Sequence, residues 1–556
     1  MQNNFKRFLC ILFLSVLFFG CKNSADSKNH GGKNDNVPKT KWLVLLYLDG
    51  DNNLNDYIYY DLNEAERGLF DNPDKDNAEN LKVVALWDGW DFQTNNESEE
   101  TSVFETNSNF ESYNVHNIAS TRLLELAPDS RSFNAKTWGG DLAAYELSPD
   151  TVDLTDTVDW IKDGEVNMAL ESTLESYLKW AKKHYKADNI ILQFSNHGGG
   201  PRSAGINGQN YARRSMCWDD TNGGSGFLKT ADVSKALKAA GFEKNNKVKM
   251  IMEDVCLGGS LEEAYQLKDY AEYYVGSPNN VPGMGFNYIS FISSLTSTAD
   301  IETAGRTLID SYKNYYQKTN TSWANILESD PSLAEMDDKY ISLHYTSCST
   351  LSFLKLTKIN DVKNAVNNLA SFILTEGKSA DHRIVYSPSD SSYYDSFNEE
   401  CPEDSFPVNR ENAIKFWAAF YGDPIYYEGS FGSLKDLGFM LCMMDTIYKE
   451  QWPELLVKTA AVRNALNNAI IACWRDGYNG TPTYYKNSTN CDSYLSSDYG
   501  LGLTINCCIW VPYYYNGKTY KSSGFADWYK NELSFGKDCS NWTTLIQEWF
   551  PFKGNL

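Results

Sequence analysis

The chain has 556 residues, 14% of them aromatic, and a formal net charge of -23 at pH 7, with 73 acidic against 50 basic side chains. That length permits two or more domains and a large buried core. The charge argues against a nucleic-acid partner, because phosphate contacts need clustered Lys and Arg, and no basic run exceeds two residues. An acidic surface suits an extracytoplasmic protein and steers basic substrates weakly.

The N-terminus reads as an address. Lys6 and Arg7 precede an apolar run from Phe8 to Gly20, too short to span a bilayer and long enough for a signal-peptide core. It ends Phe18-Phe19-Gly20-Cys21, similar to a bacterial lipobox in which the Cys after the cleavage point carries lipid, with Phe18 in place of the usual aliphatic residue. The expectation is a signal peptide over residues 1–20 and a lipidated Cys21 that holds the chain to the cell envelope or surface; plain secretion is the alternative. Residues 21–40 bury no apolar surface and read as a disordered tether.

Beyond the tether, Leu43–Leu48 and Leu81–Trp87 read as buried strands with a helix between them. The turn Asp49-Gly50-Asp51-Asn52-Asn53 is rich in oxygen ligands. It fails as an EF-hand loop, because Leu54 stands where Gly is needed and Tyr60 where Glu is needed. A turn that caps the following helix is the preferred reading. Residues 91–160 are polar and irregular, an insertion ahead of a helix over 170–184. Ile190–Ser195, Val248–Glu253 and Tyr273–Gly276 are the next strands, with helices over 230–240 and 259–268. Strands alternating with helices predict an α/β fold whose sheet is mainly parallel and flanked by helices. Further helices are expected over 298–318, 352–376, 410–420, 433–449 and 454–474, then strands over 500–512. The domain reading is a catalytic α/β domain over 41–296 and an additional C-terminal α+β region over 297–556 packed on it.

Twelve cysteines invite a disulfide framework. Setting aside Cys10, Cys21 and Cys256 leaves nine, an odd number that cannot all pair within one chain. Cys442 and Cys473 sit in helix-like apolar stretches and read as core thiols; Cys401, Cys491 and Cys539 lie in polar sequence and read as disulfide candidates. No Cys-x-x-Cys spacing occurs, so the paired ligands of a structural zinc site are missing.

Two of the strands end in reactive side chains. Asn189–His197 runs into Gly198-Gly199-Gly200, and Lys247–Cys256 into Leu257-Gly258-Gly259. A parallel sheet presents ligands and chemistry beyond the carboxyl ends of its strands, so adjacent ends bring imidazole and thiol into one crevice. The glycines let backbone N–H groups approach a bound carbonyl. A helix starting at Leu257 would turn its positive end toward Cys256 and favour the thiolate.

These stretches resemble the clostripain family, caspase-like cysteine peptidases that cut after basic residues. The resemblance lies in Asn196–Gly200, Glu253–Gly259, Val275-Gly276-Ser277 and Pro282–Tyr288, and extends through Trp42–Leu54, Gly164–Met168, Leu174–Ala181, Gly500–Ile505 and Phe525–Tyr529. It implies a caspase-like sheet, a Cys256 nucleophile with His197, oxyanion donors at the N–H groups of Gly198 and Cys256, and Asp254 in the pocket for Arg or Lys. The family's acidic residue after the Ser of the Gly-Ser turn is absent, since Pro278, Asn279 and Asn280 follow Ser277. Relatives are often activated by self-cleavage after the His strand, where Arg213-Arg214 lie in a Gly-rich polar segment. Some relatives need calcium. No cofactor is expected from the residues themselves, and a calcium site built from the Asp49–Asn53 turn and distant acids is the alternative. The reading is a monomeric cysteine endopeptidase acting on protein or peptide substrates, held to the membrane by its N-terminal lipid. A catalytically inactive surface lipoprotein that binds glycan or host protein is the second reading, and a transpeptidase using the same dyad the third.

Overall fold

In a computed structural model, the structure describes residues 38–52, 54–90, 120–130, 147–201, 216–219, 221, 226–316, 350–376, 434–448, 452–475, 502–506, 513–515, 518–520 and 529–549. The expectations for residues 1–37, Cys21 among them, for Arg213 and Arg214, for Cys401 and Cys491, and for a helix over 410–420 lie outside the described residues.

A nine-stranded sheet organises the chain. Its centre is five parallel strands: β1 (Lys39–Gly50), β2 (Leu81–Gly89), and further on β5 (Lys186–Ser195), β8 (Val248–Asp254) and β9 (Ala271–Gly276), in the order β2-β1-β5-β8-β9. These are near-continuous apolar runs, as strands buried on both faces require. The faces follow from the period of two. Leu43, Leu45 and Tyr47 of β1 pack with helices α2 (Glu171–His184) and α3 (Thr230–Ala239). Trp42, Val44, Leu46 and Leu48 pack on the other face with α1 (Asn55–Asp71) and, later in the chain, α5 (Tyr288–Ser294) and α6 (Ile301–Tyr316). The mainly parallel sheet flanked by helices is therefore as expected.

The edges differ from the sequence reading. Within 91–160, β3 (Arg122–Glu125) and β4 (Val152–Asp153) add an antiparallel pair beyond β2. At the other edge, residues 352–376 are not one helix: β10 (Thr350–Lys355) pairs antiparallel with β9 before helix α7 (Ile359–Glu376). Residues 454–474 divide likewise into a helix over Pro453–Ala469 and a strand, Ile470–Arg475, antiparallel to β10. Strands from both sides of residue 297 thus share one sheet. Cys473 lies on that last strand rather than in a helix, and Cys539, expected in a disulfide, is a buried free thiol. Cys539 sits where Leu533–Trp542 pack against α7, and its sulfur lies 3.7 Å from the Lys363 carbonyl. None of the helices among the described residues is long and apolar enough to cross a membrane.

Candidate active site

The strand order reverses at β1, which has β2 on one side and β5 on the other, so a crevice opens at the carboxyl ends of β1, β5 and β8. Ser195 of β5 stands in register with Asp254 of β8, and the Asn196 N–H donates to the Asp254 carbonyl at 3.4 Å. Two residues further along each chain stand His197 and Cys256, both half-buried. Gly198 locks the two ends together. A Cβ there would lie 2.1 Å from the Cys256 carbonyl oxygen and 2.8 Å from its nitrogen, so only glycine fits.

Cys256 is held by a loop that sequence reasoning passed over. The Val281 N–H donates to Sγ at 3.3 Å, and the thiol faces the Val281 carbonyl at 3.7 Å. The post-Cys turn runs along residues 277–279, with Leu257 N–H to the Asn279 carbonyl at 2.9 Å and Gly259 N–H to the Ser277 carbonyl at 2.7 Å. Burial pushes the thiol up to about 11, and the Val281 N–H acts in the opposite direction. The helix expected at Leu257 begins four residues later. Leu257 takes φ +62°, turning the chain, and Ser260 caps α4 (Leu261–Leu267) by accepting the Glu263 N–H at 3.1 Å. The donor at the sulfur is therefore the Val281 amide rather than a helix end.

His197 has an aromatic platform. The Trp218 ring stacks on it with centroids 4.8 Å apart and planes 27° apart. Trp218 lies on β6 (Met216–Asp219), which pairs antiparallel with β7 (Gly226–Leu228), while Met216 bridges to Gly198. Asn196 fixes the tryptophan backbone, its Oδ1 accepting the Trp218 N–H at 3.0 Å while its Nδ2 donates to the Asp49 carbonyl at 2.6 Å. No local pattern announces Trp218; the contact is made only by folding.

Asp254 is 4% exposed. Its Oδ2 accepts the Phe286 N–H at 2.7 Å and the Tyr288 hydroxyl at 2.9 Å, while Oδ1 has no hydrogen-bond partner among the described residues. Gly285, at φ +59°, leaves the space that this carboxylate fills, since a Cβ would come within 2.5 Å of Oδ2. Two more buried acids stand near it on α1: Asp61, which accepts the Ser195 hydroxyl at 3.0 Å, and Glu64, which accepts the Tyr288 N–H at 2.9 Å. Burial raises all three carboxyls, Asp254 to about 7 and Glu64 to about 8. Nothing in the sequence tied α1 to this pocket.

The Asp49–Asn53 turn does not cap α1 through a side chain: the N-cap is Leu54, whose N–H goes to Asn52 Oδ1 at 2.9 Å. Asp51 instead joins Asp88, Glu165 and Asp219, whose carboxylates offer one oxygen each within 4.8 Å of one another.

The fold and its paired strand ends define a mainly parallel α/β protein with a thiol and an imidazole beyond the carboxyl ends of two adjacent central strands. Residues 46–421 match the Clostripain family, peptidase C11, and the chain belongs to it. It is 26% identical to clostripain of Hathewaya histolytica over 371 residues, a match covering 64% of this chain and 60% of that protein. The chain thus spans less than two thirds of the curated relative's length. Among solved structures it is similar to a secreted C11 cysteine protease from Bacteroides thetaiotaomicron in complex with an irreversible peptide inhibitor, at 17% identity and TM-score 0.49, covering 91% of this chain and 99% of that one. It is also similar to an inactive zymogen C11 protease from Parabacteroides distasonis, at 16% identity and TM-score 0.47, with 90% and 99% covered.

Proposed function

We propose that the chain is a cysteine endopeptidase that cuts peptide bonds after Arg or Lys. The observation that carries this is the contact of Gly198 with the Cys256 backbone, which sets the residue after the imidazole directly against the thiol's own peptide unit. At neutral pH the Cys256 thiol, raised by burial, keeps its proton until substrate binds. His197 takes that proton as the sulfur attacks the substrate carbonyl carbon. The carbonyl π electrons move to oxygen, and the N–H groups of Gly198 and Cys256 receive the oxyanion. Collapse breaks the C–N bond, and the imidazolium gives its proton to the leaving amine. Water, deprotonated by His197, then cleaves the thioester and restores the thiol.

Asp254 supports the basic preference. A buried carboxylate with one oxygen unpartnered gains most from a substrate cation, because a guanidinium or ammonium supplies charge-assisted hydrogen bonds where water is excluded. No carboxylate follows Ser277, so Asp254 carries the preference with Asp61 and Glu64 behind it. Arg213-Arg214 are the proposed processing point, in a segment that leaves after Pro201 and returns at Met216 beside Gly198. Cys21 is the proposed lipid attachment, placing a monomer at the envelope surface with protein or peptide substrates. A peptide library digested with the mature chain tests the specificity: cuts after Arg and Lys are expected, and a preference for Asp or apolar residues before the scissile bond contradicts it.

A further inference from the structure

Glu253 precedes Asp254 on β8, and the period of two sends its side chain to the opposite face of the sheet, where it is wholly buried. There it lies under the turn that follows the nucleophile. A Cβ on Gly258, two residues after Cys256, would come within 2.8 Å of Glu253 Oε2. The same oxygen stands 2.6 Å from the Tyr274 hydroxyl of β9, and that hydroxyl also meets the Gly258 carbonyl. A phenol has one proton to give, and a carbonyl can only accept. Both contacts are full hydrogen bonds when Tyr274 donates to Gly258 and a protonated Glu253 donates to Tyr274. The other oxygen, Oε1, is buried with no partner among the described residues, which costs a neutral carboxyl far less than an ionised one. Burial raises this carboxyl to about 8. The titratable groups facing it are Tyr274 of β9, Glu263 of α4 and Cys217 of β6, each itself raised by burial, and none of them is a cation that would hold the ionised form.

We propose that Glu253 is a positioning residue for Cys256: as a neutral acid it donates to Tyr274, which leaves the phenol proton free to hold the Gly258 carbonyl and, through it, the turn that aims the thiol. The turn is tied on its outer side by backbone alone, Leu257 N–H to the Asn279 carbonyl and Gly259 N–H to the Ser277 carbonyl. Tyr274 grips it from the core side. Ionisation of Glu253 reverses the inner bond. A carboxylate accepts more strongly than a neutral carbonyl, so Tyr274 turns its proton to Glu253 and the Gly258 carbonyl loses its phenol donor. The arrangement is therefore complete while Glu253 keeps its proton, below about pH 8, and slackens as pH rises beyond that. The role in turnover rests on Cys256 being the nucleophile; the proton on Glu253 does not.

The test uses the full mature chain and a fluorogenic arginyl peptide, with kcat and KM measured from pH 6 to pH 10. In the wild type, kcat should fall at least fivefold between pH 7 and pH 9.5 with KM little changed. The amide of Glu253→Gln donates to Tyr274 at every pH, so this variant should match the wild type at pH 7 and lose most of the alkaline fall. Tyr274→Phe removes the donor to Gly258, and its kcat should already be at least fivefold low at pH 7. Should Glu253→Gln not fold, Tyr274→Phe decides. Equal alkaline falls in the wild type and Glu253→Gln, or a wild-type kcat in Tyr274→Phe, overturn the positioning role. The proton is read separately, without turnover, from the infrared difference spectrum of the wild type against Glu253→Gln. A protonated-carboxyl C=O band present at pH 6 and gone at pH 9.5 is expected. No such band at pH 6 overturns the neutral Glu253, whether or not the chain cuts peptides, so that failure is distinct from a failure of the peptidase reading.

Discussion

At Gly198 one hydrogen atom in place of a methyl decides whether the site can form. Gly198→Ala would push a carbon to 2.1 Å from the Cys256 carbonyl oxygen, so one of the two strand ends must retreat. Overpacking of this kind costs about 1–3 kcal/mol, and displacing an oxyanion donor costs about 10²–10³ in rate. We expect Gly198→Ala to fold with a lowered Tm and to lose at least 100-fold in kcat; unchanged kcat contradicts the placement of the donors. Asp254→Asn is a different substitution. The amide oxygen can still accept from the Phe286 N–H and the Tyr288 hydroxyl, so the fold persists while the charge is lost. Cleavage after Arg and Lys should fall at least tenfold with Tm little changed, and equal kcat/KM for the two chains contradicts the pocket. Both residues were named from the sequence because they lie in the stretches around His197 and Cys256 that carry the family resemblance. Trp218, Val281, Asp61 and Glu64 were not, because each reaches the site from a distant segment.

Among the elements, β1, β5 and β8 were legible because strands buried on both faces are continuous apolar runs. β10 and the strand Ile470–Arg475 were not. Each abuts a helix without a glycine or proline between, so six strand residues merge into a neighbouring helical pattern. The strands β3 and β4 are four and two residues long, too short to show a period within polar sequence. The carboxyls buried in and around β8 bring a pH dependence. Burial raises Asp254 to about 7 and Glu64 to about 8, and Glu253 of β8 likewise to about 8. Unfolded carboxyls titrate near pH 4, so between about pH 4 and 8 the folded chain holds protons that the unfolded chain has released. Unfolding then releases protons, and stability falls as pH rises through that window and levels off above it. Melting in EDTA should give a lower Tm at pH 8.5 than at pH 5.5, with a smaller difference in Glu64→Gln. A Tm that rises with pH across this range contradicts the assignment.

For the molecule as a whole, β5 and β8 lie on opposite sides of Arg213-Arg214 in the chain yet pair within one sheet. A cut there places His197 on one fragment and Cys256 on the other, and the sheet and buried core that the two fragments share keep them together. The mature enzyme should run as two bands under denaturing conditions and as one species on gel filtration, while Cys256→Ala expressed alone stays a single chain. Clipping of that mutant without added protease, or full activity of the intact wild type, contradicts self-processing. The central claim is that the thiol of Cys256, served by His197, attacks a peptide carbonyl. It is tested most directly by treating the folded chain with an arginyl acyloxymethylketone and mapping the adduct by mass spectrometry. A single adduct on Cys256, formed at least 100-fold more slowly in His197→Ala, is the expected result; an adduct on another cysteine, or equal rates in the two chains, would contradict it.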